Sequence, residues 1–460
     1  MRARALILLA AAMAPSMRAA DPAPAPAAPN PDPEVRAMVE DVNPERIQKS
    51  IYVLASFKTR HTLSDPLPSG DGIGGAVSWI RAEFERISKE AGGRLNVELD
   101  SFDQHPAPPR IPQEVQITNV VATLPGTDTA SGRTLVISGH YDSRASNPLD
   151  ATGAAPGADD DASGVAAVIE LARVMSHYRF PATLVFLAVA GEEQGLNGST
   201  HWAKAAKERQ ADIEAMLDND IIGNSRSETG AIDRGSVRLF AQGIPPVAAP
   251  DDALLALIRA GGENDTPPRE LARSIRDVAA TYVPAFKVRV IYRMDRYLRG
   301  GDHLPFLEQG YAAVRFTEPA EDFRRQHQDV RQEGGVTYGD TPDHVDFAYI
   351  ADVARVNGAA LAVLARAPAP PTGVQVETAR LENDTTLRWD PGMDPGLAGH
   401  RVVWRETTAP FWEHSLDVAK DVNRVTVPGV SKDNVVFGVE AFDAAGHVSP
   451  AVFPSARRTL

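Results

Sequence analysis

The sequence predicts an α/β domain with a mixed, largely parallel sheet flanked by helices, followed by a small all-β sandwich. Three observations carry this expectation. From about residue 40 to residue 366, apolar runs of strand length alternate with stretches of helical periodicity, the pattern of a buried parallel sheet. After Thr372 only short alternating runs remain, separated by turn residues, as in a β-sandwich. Between the two, residues 365–371 include Pro368, Pro370 and Pro371, cannot continue a helix, and read as an extended linker.

At the N-terminus Arg2 and Arg4 precede an apolar run, residues 5–14, that is too short to span a bilayer. Residues 1–20 therefore read as an export signal, which makes the expected location periplasmic or secreted and leaves no transmembrane segment in the mature chain. A Pro/Ala-rich linker is expected over residues 21–39. Ile47, Ile51, Leu54 and Phe57, then Val77, Ile80, Phe84 and Ile87, are spaced as on two amphipathic helices. Strands are expected at residues 115–124, 134–138, 183–190 and 215–222, with a helix at 164–177 among them. A helix near 270–281, a strand at 286–292, a short strand at 312–317 and a closing helix at 349–364 complete the domain, assigned to residues 40–366. The sandwich, residues 367–460, has its strands at 373–378, 386–389, 401–405, 424–427 and 435–442. Behind its linker it is expected to be dispensable for chemistry.

Composition shortens the list of chemistries. The formal net charge of −14 is unfavourable for phosphate backbones, so no nucleic-acid partner is expected. Zero cysteines exclude disulfides, thiolate nucleophiles and Cys-ligated metals, so any metal must be held by His, Asp and Glu. Of the eleven histidines, His61, His105, His177, His201, His400, His414 and His447 read as capping or surface imidazoles.

His140 is different because it ends an apolar strand and stands two residues before Asp142, on the same side of an extended chain. A carboxylate there can orient the imidazole toward a metal. Asp159, Asp160 and Asp161 crowd one loop before a helix, where either a solvated cap or a metal-bridging carboxylate fits. Glu192 and Glu193 are adjacent carboxylates where another strand ends, a costly arrangement unless a cation or a proton compensates. Asp218 and Asp220 mark a third strand end, and in open α/β sheets ligands bind at such ends. For a further histidine, His327 and His344 compete.

The ordered motifs H-x-D, G-A-D-D-D-A-S-G, G-E-E-x-G and N-D-I-I-G resemble those of the dizinc exopeptidases, the family of the secreted bacterial leucyl aminopeptidases, related more distantly to glutamate carboxypeptidases and glutaminyl cyclases. The resemblance covers about residues 40–366 and implies that family's fold and a peptide substrate. It implies two zinc ions that hold a bridging hydroxide, with His140, Asp160, Glu193, Asp220 and His327 as ligands. Asp160 is the bridge because it stands three residues before Ser163. Asp220 is chosen over Asp218 because it precedes Ile221-Ile222-Gly223. His327 is chosen because it follows Glu318 and the Asp322-Phe323 pair, whereas His344 has the motif fragments in the wrong order. Glu192 matches the general base and Asp142 the carboxylate that orients His140; His303 matches a segment that lines the substrate cleft. The activity implied is a secreted zinc aminopeptidase. A carboxypeptidase, dipeptidase or glutaminyl cyclase on the same scaffold, and a binding protein that has lost the chemistry, are the alternatives. The placing of Leu387, Trp389, Val402, Trp404, Phe437, Val439 and Gly446 resembles a fibronectin type III module, departing at Phe437 where that family usually has Tyr, and implies a tether to a surface or to substrate.

Overall fold

The computed structural model describes residues 31–245 and 251–457, so the expected export signal and the first part of the expected linker lie outside the described residues. The remainder of that linker corrects the expectation. Helix α1, Pro33–Asp41, buries Val35, Met38 and Val39. Proline is tolerated in a first helical turn, where its missing N–H would have no partner, so a Pro-rich stretch can still open a helix. Helix α2, Pro44–Ser56, repeats the device: Pro44 follows Asn43, whose side chain accepts from the Glu45 and Arg46 amides. Helix α3, Ile73–Glu90, buries Ile80, Phe84 and Ile87, the periodic positions of the sequence.

One eight-stranded sheet organises the domain. Its strands are β1 (Asn96–Gln104), β2 (Val115–Leu124), β3 (Arg133–His140), β4 (Thr183–Val189), β5 (Asp212–Asn219), β6 (Ser236–Ala241), β7 (Lys287–Ile291) and β8 (Ala313–Thr317). They lie in the order β1-β2-β4-β3-β5-β8-β6-β7. The centre, β4-β3-β5-β8, is parallel, and antiparallel pairings join β1 to β2, β2 to β4 and β6 to β8. The mixed, mainly parallel sheet is thus present. Two of its strands lie outside the expected set. β1 carries Glu98, Asp100 and Asp103 along an edge, the charge that keeps an edge strand from pairing with other chains. β6 is a six-residue strand that follows a loop of Gly, Ser, Asp and Arg, with too few residues to show a period.

Helices cover both faces. α4 (Ala162–Met175), α7 (Pro267–Tyr282) and α9 (Phe347–Arg366) join α1–α3 in the larger apolar core. α5 (Asn197–Glu208) packs Trp202, Ala203 and Ala206 in a second core with Phe306 of α8 (His303–Glu308). α6 is Asp252–Arg259. α9 is long and apolar enough to cross a membrane, yet it is buried inside the domain, with Val353, Val356 and Leu361 in the larger core.

After α9 come two further sheets. One has four strands, Gln375–Glu377, Thr385–Arg388, Arg424–Val427 and Ser455–Arg457; the other has three, Leu397–Glu406, His414–Ala419 and Val435–Asp443. They enclose Val374, Leu387, Trp389, Val402, Phe437 and Val439. The stretch expected as a linker begins later than predicted, since Ala365 and Arg366 are still helical. Nor does it act as a spacer, because the sandwich is docked on α7. Arg405 places Nη2 2.6 Å from Asp265 Oδ1 with both side chains buried, Trp412 donates to Glu270 over 3.1 Å, and Arg273 donates to the Pro410 carbonyl over 2.9 Å. The expected separation of sandwich and domain is therefore replaced by an interface of buried charge.

Burial in this interface, with Asp265 nearby and Arg273 opposing, pushes the Glu270 carboxyl up to about 8 from a model-peptide value of 4.5. A carboxyl with a raised folded-state pKa binds more protons folded than unfolded, so it stabilises fully below about 4.5 and loses that contribution as pH rises to about 8. We expect Glu270→Gln to flatten the decline of melting temperature with pH across this window. An unchanged slope would mean that the group does not titrate there.

Candidate metal centre

The parallel strands deliver their C-terminal ends to one place. His140 is the last residue of β3, Glu192 and Glu193 follow β4, and Asp220 follows β5. Asp160 stands in the loop that leads into α4, and His327 in the loop after β8. Two clusters form, His140 with Asp160 and Asp220, and Asp160 with Glu193 and His327; each offers ligand atoms within 4.8 Å of one another. Asp160 belongs to both. Its Oδ1 lies 3.1 Å from His140 Nε2 and its Oδ2 3.0 Å from His327 Nε2, so each oxygen faces a different imidazole. His327 Nε2 is also 3.1 Å from Glu193 Oε1, and His140 Nε2 is 3.8 Å from Asp220 Oδ1.

The three loop aspartates separate by role. Asp161 caps α4 through the Gly164 amide at 2.9 Å and accepts the His140 amide at 3.0 Å, fixing helix and strand end together. Asp159 accepts the Gly223 amide at 2.7 Å. Of the three, Asp160 turns its carboxylate to the imidazole rings. Asp218, the competitor of Asp220, accepts from Ser138 at 3.0 Å inside the sheet. His344 lies in the turn Pro342–His344, outside both clusters. Arg299 and Gly300 of the segment that holds His303 line the cleft beside the clusters, while His303 itself is buried at the start of α8, its amide 3.3 Å from Asp218 and its Nε2 3.0 Å from the Met294 carbonyl.

The donor set suits a divalent cation. His140 Nε2 and Glu193 Oε1 are buried without a hydrogen-bond partner among the described residues, although carboxylate or imidazole atoms stand close by. Buried polar atoms that converge without bonding are costly unless a further group satisfies them. Burial opposes charge on His327, but Glu193 and Asp160 push its pKa up to about 9. Burial likewise raises Asp160, but the two histidines outweigh it and hold that carboxyl well below its usual range. Positive charge is therefore what this cluster of acids demands, and nitrogen with carboxylate oxygen is a zinc-type donor set.

Comparison with known proteins agrees with this geometry. The profile of Peptidase family M28 matches residues 119–360, which span all five candidate ligands. A probable zinc metalloprotease of Leptosphaeria maculans is 47% identical over 421 residues, covering 92% of this chain and 96% of its own. The chain belongs to peptidase family M28. Another probable zinc metalloprotease, from Pyricularia oryzae, is 46% identical over 92% of this chain and 84% of its own. Among solved structures, an aminopeptidase from Aneurinibacillus sp. strain AM-1 superposes with a TM-score of 0.51 at 16% identity, over 72% of this chain and 96% of that one. LapB from Legionella pneumophila gives 0.50 at 19% identity, over 72% and 74%. At such identities these two show the fold.

Around the M28 centre stand residues that the motifs did not indicate. Arg144 lies 2.8 Å from Glu193 Oε2 and places Nη2 2.6 Å from His327 Nδ1. Arg315 of β8 lies 2.8 Å from Asp220 Oδ2 and 2.5 Å from Asp295 Oδ2. Asp142 does more than face His140, whose Nδ1 is 3.6 Å from its Oδ1 and 3.1 Å from its main-chain carbonyl. Its carboxylate also accepts the Glu192 amide at 3.3 Å and the Glu193 amide at 3.2 Å, so one side chain sets both β3 and the turn after β4. Behind it Thr62 donates to Asp142 over 3.2 Å and bonds Gln194, which reaches His61 Nε2 at 3.1 Å. His61, expected as a capping or surface group, is thus a buried support of this turn.

His327→Ala is expected to lower zinc affinity by more than the roughly 10- to 100-fold that loss of a supporting partner costs, while His344→Ala leaves it near the parent value. Zinc titration of the two purified variants decides, and the reverse order would move the ligand assignment to His344.

Proposed function

We propose that this M28 peptidase is an exported zinc aminopeptidase that removes N-terminal residues from peptides. The observation that carries the proposal is Asp160 shared between two donor clusters, with Glu192 beside them and outside both. The curated relatives named as zinc metalloproteases and the aminopeptidase of like fold support it. His140 and Asp220 would hold one zinc, Glu193 and His327 the other, with Asp160 available to both. Bound there, two zinc ions would polarise the scissile carbonyl and make water a better nucleophile.

The chain's own groups do the remaining work. Burial, reinforced by Asp220, Glu193 and Asp302 and opposed by His140, raises the Glu192 carboxyl well above its ordinary range. A carboxylate of raised basicity takes a proton from water and returns it to the departing amine. Asp142 holds the Glu192 amide, so the base is fixed through its main chain. Residues 367–460 are read as a fibronectin type III-like module whose outward face tethers the enzyme to a surface or to substrate.

An unblocked tetrapeptide tests the activity. Release of its first residue, abolished by N-acetylation and by zinc removal, is the expected result. Release of the last residue would make the enzyme a carboxypeptidase, and cyclisation of N-terminal Gln without cleavage a cyclase.

A further inference from the structure

Above the two clusters lies a cleft of about 470 Å³, within the range of small-ligand sites. In a chain of net charge −14, its walls carry five guanidinium groups, those of Arg110, Arg144, Arg296, Arg299 and Arg315. Three are neutralised: Arg144 by Glu193, Arg315 by Asp220 and Asp295, and Arg296 by Glu321 at 2.6 Å. Arg110 and Arg299 have no carboxylate partner among the described residues. Arg110 donates to the main-chain carbonyl of Glu193, and Arg299 reaches the side-chain oxygen of Gln326 at 3.4 Å. Each is half-buried and anchored by a neutral oxygen on, or next to, a residue of the Glu193–His327 cluster. Each therefore keeps its full charge and most of its five N–H donors, in a fork that fits a carboxylate. A concave wall concentrates that field on whatever enters.

We propose that Arg110 and Arg299 form an anion subsite that takes a substrate carboxylate on the leaving-group side of the scissile bond. The enzyme then prefers short peptides that carry a carboxylate there, either a C-terminal carboxylate or an acidic side chain. The inference rests on the aminopeptidase reading. Its direction follows from charge: the free amine of such a substrate is drawn toward Glu192 and the acids beside it and repelled by guanidinium groups. The two unneutralised arginines are therefore left to the opposite end of the peptide.

The test compares kcat/KM of the full-length, zinc-loaded chain for Leu-Gly-Gly, its C-terminal amide, and the amides of Leu-Glu-Gly and Leu-Gln-Gly. A charged hydrogen-bonded contact predicts a preference of roughly ten-fold or more for the carboxylate member of a pair. Preference within the first pair assigns the carboxylate to the chain terminus, and preference within the second assigns it to the side chain. In R299Q and R110Q that preference falls toward one. Since Arg110 touches the Glu193 carbonyl, zinc content is measured for both variants, and R299Q decides if R110Q is zinc-poor. Calorimetric binding of Leu-Gly-Gly and its amide to zinc-loaded E192Q reads the same ratio without turnover. Leucine release without discrimination in either pair, or a ratio unchanged in R299Q, overturns the subsite alone. No release of leucine from any of the four overturns the aminopeptidase reading and this inference with it.

Discussion

Glu192→Gln is expected to keep its zinc and lose at least about 100-fold in kcat, because the amide fills the same space but cannot accept and return a proton. KM should change little, since the loss falls in the transition state. Its neighbour should behave differently. Glu193 Oε1 is a buried atom without a hydrogen-bond partner, facing His327 at 3.1 Å, so Glu193→Gln removes negative charge from the donor set and should lower zinc content and activity together. Glu193 also neutralises Arg144, whose guanidinium would be left beside His327 with less to balance it. Metal analysis beside steady-state kinetics separates the two variants. Zinc loss in Glu192→Gln with zinc retained in Glu193→Gln would exchange the roles.

The second large effect is structural. Arg405→Ala should destabilise the chain by about 3–5 kcal/mol, the cost of leaving a buried charge without its partner. Arg405 meets Asp265 at 2.6 Å with both side chains almost fully buried, and it also donates to the Ala409 carbonyl at 2.7 Å. Arg273 remains 3.1 Å from Asp265 and softens the loss. Denaturant unfolding of the variant measures it. For the same reason a chain ending near Ala367 is expected to expose Asp265, Glu270 and Arg273 and to melt well below the full chain, even where the sandwich adds nothing to the chemistry. A truncated chain with an unchanged melting point would show that this interface adds no stability.

Much of the centre was legible in the sequence because its acids and histidines stand in short contiguous motifs where apolar strands end. Strand alternation likewise exposed the parallel core of the sheet. What the motifs left out are supports whose partners are set only by the fold, even where, as with Gln194 and Arg144, they stand beside motif residues. Thr62, Gln194 and Arg144 occupy loops without periodicity, so nothing local marks them. Arg315 did leave a signal: a lone charge inside the apolar strand Ala-Val-Arg-Phe-Thr is expensive to bury and demands a carboxylate partner. The burial of His61 comes from packing against Pro148 and Gln194, far away in sequence, so nothing in its own neighbourhood marks it. Helix α1 was hidden by proline-rich composition, and β1 by the charges of an edge strand.

Asp32 sits just before α1 and is gripped from two later parts of the chain, by Arg366 at the end of α9 and by His447 Nε2 at 3.0 Å in the sandwich. The start of the described chain is thus fastened to parts translated hundreds of residues later. Such long-range closures cost more chain entropy than local contacts, and a fold that relies on them folds more slowly. During synthesis α1 can meet α4 and α7 before α9 has emerged, but the clasp is complete only with the sandwich. The proposed ligands, from His140 to His327, all precede both partners of the clasp, so the donor set is complete in the growing chain before the clasp can close.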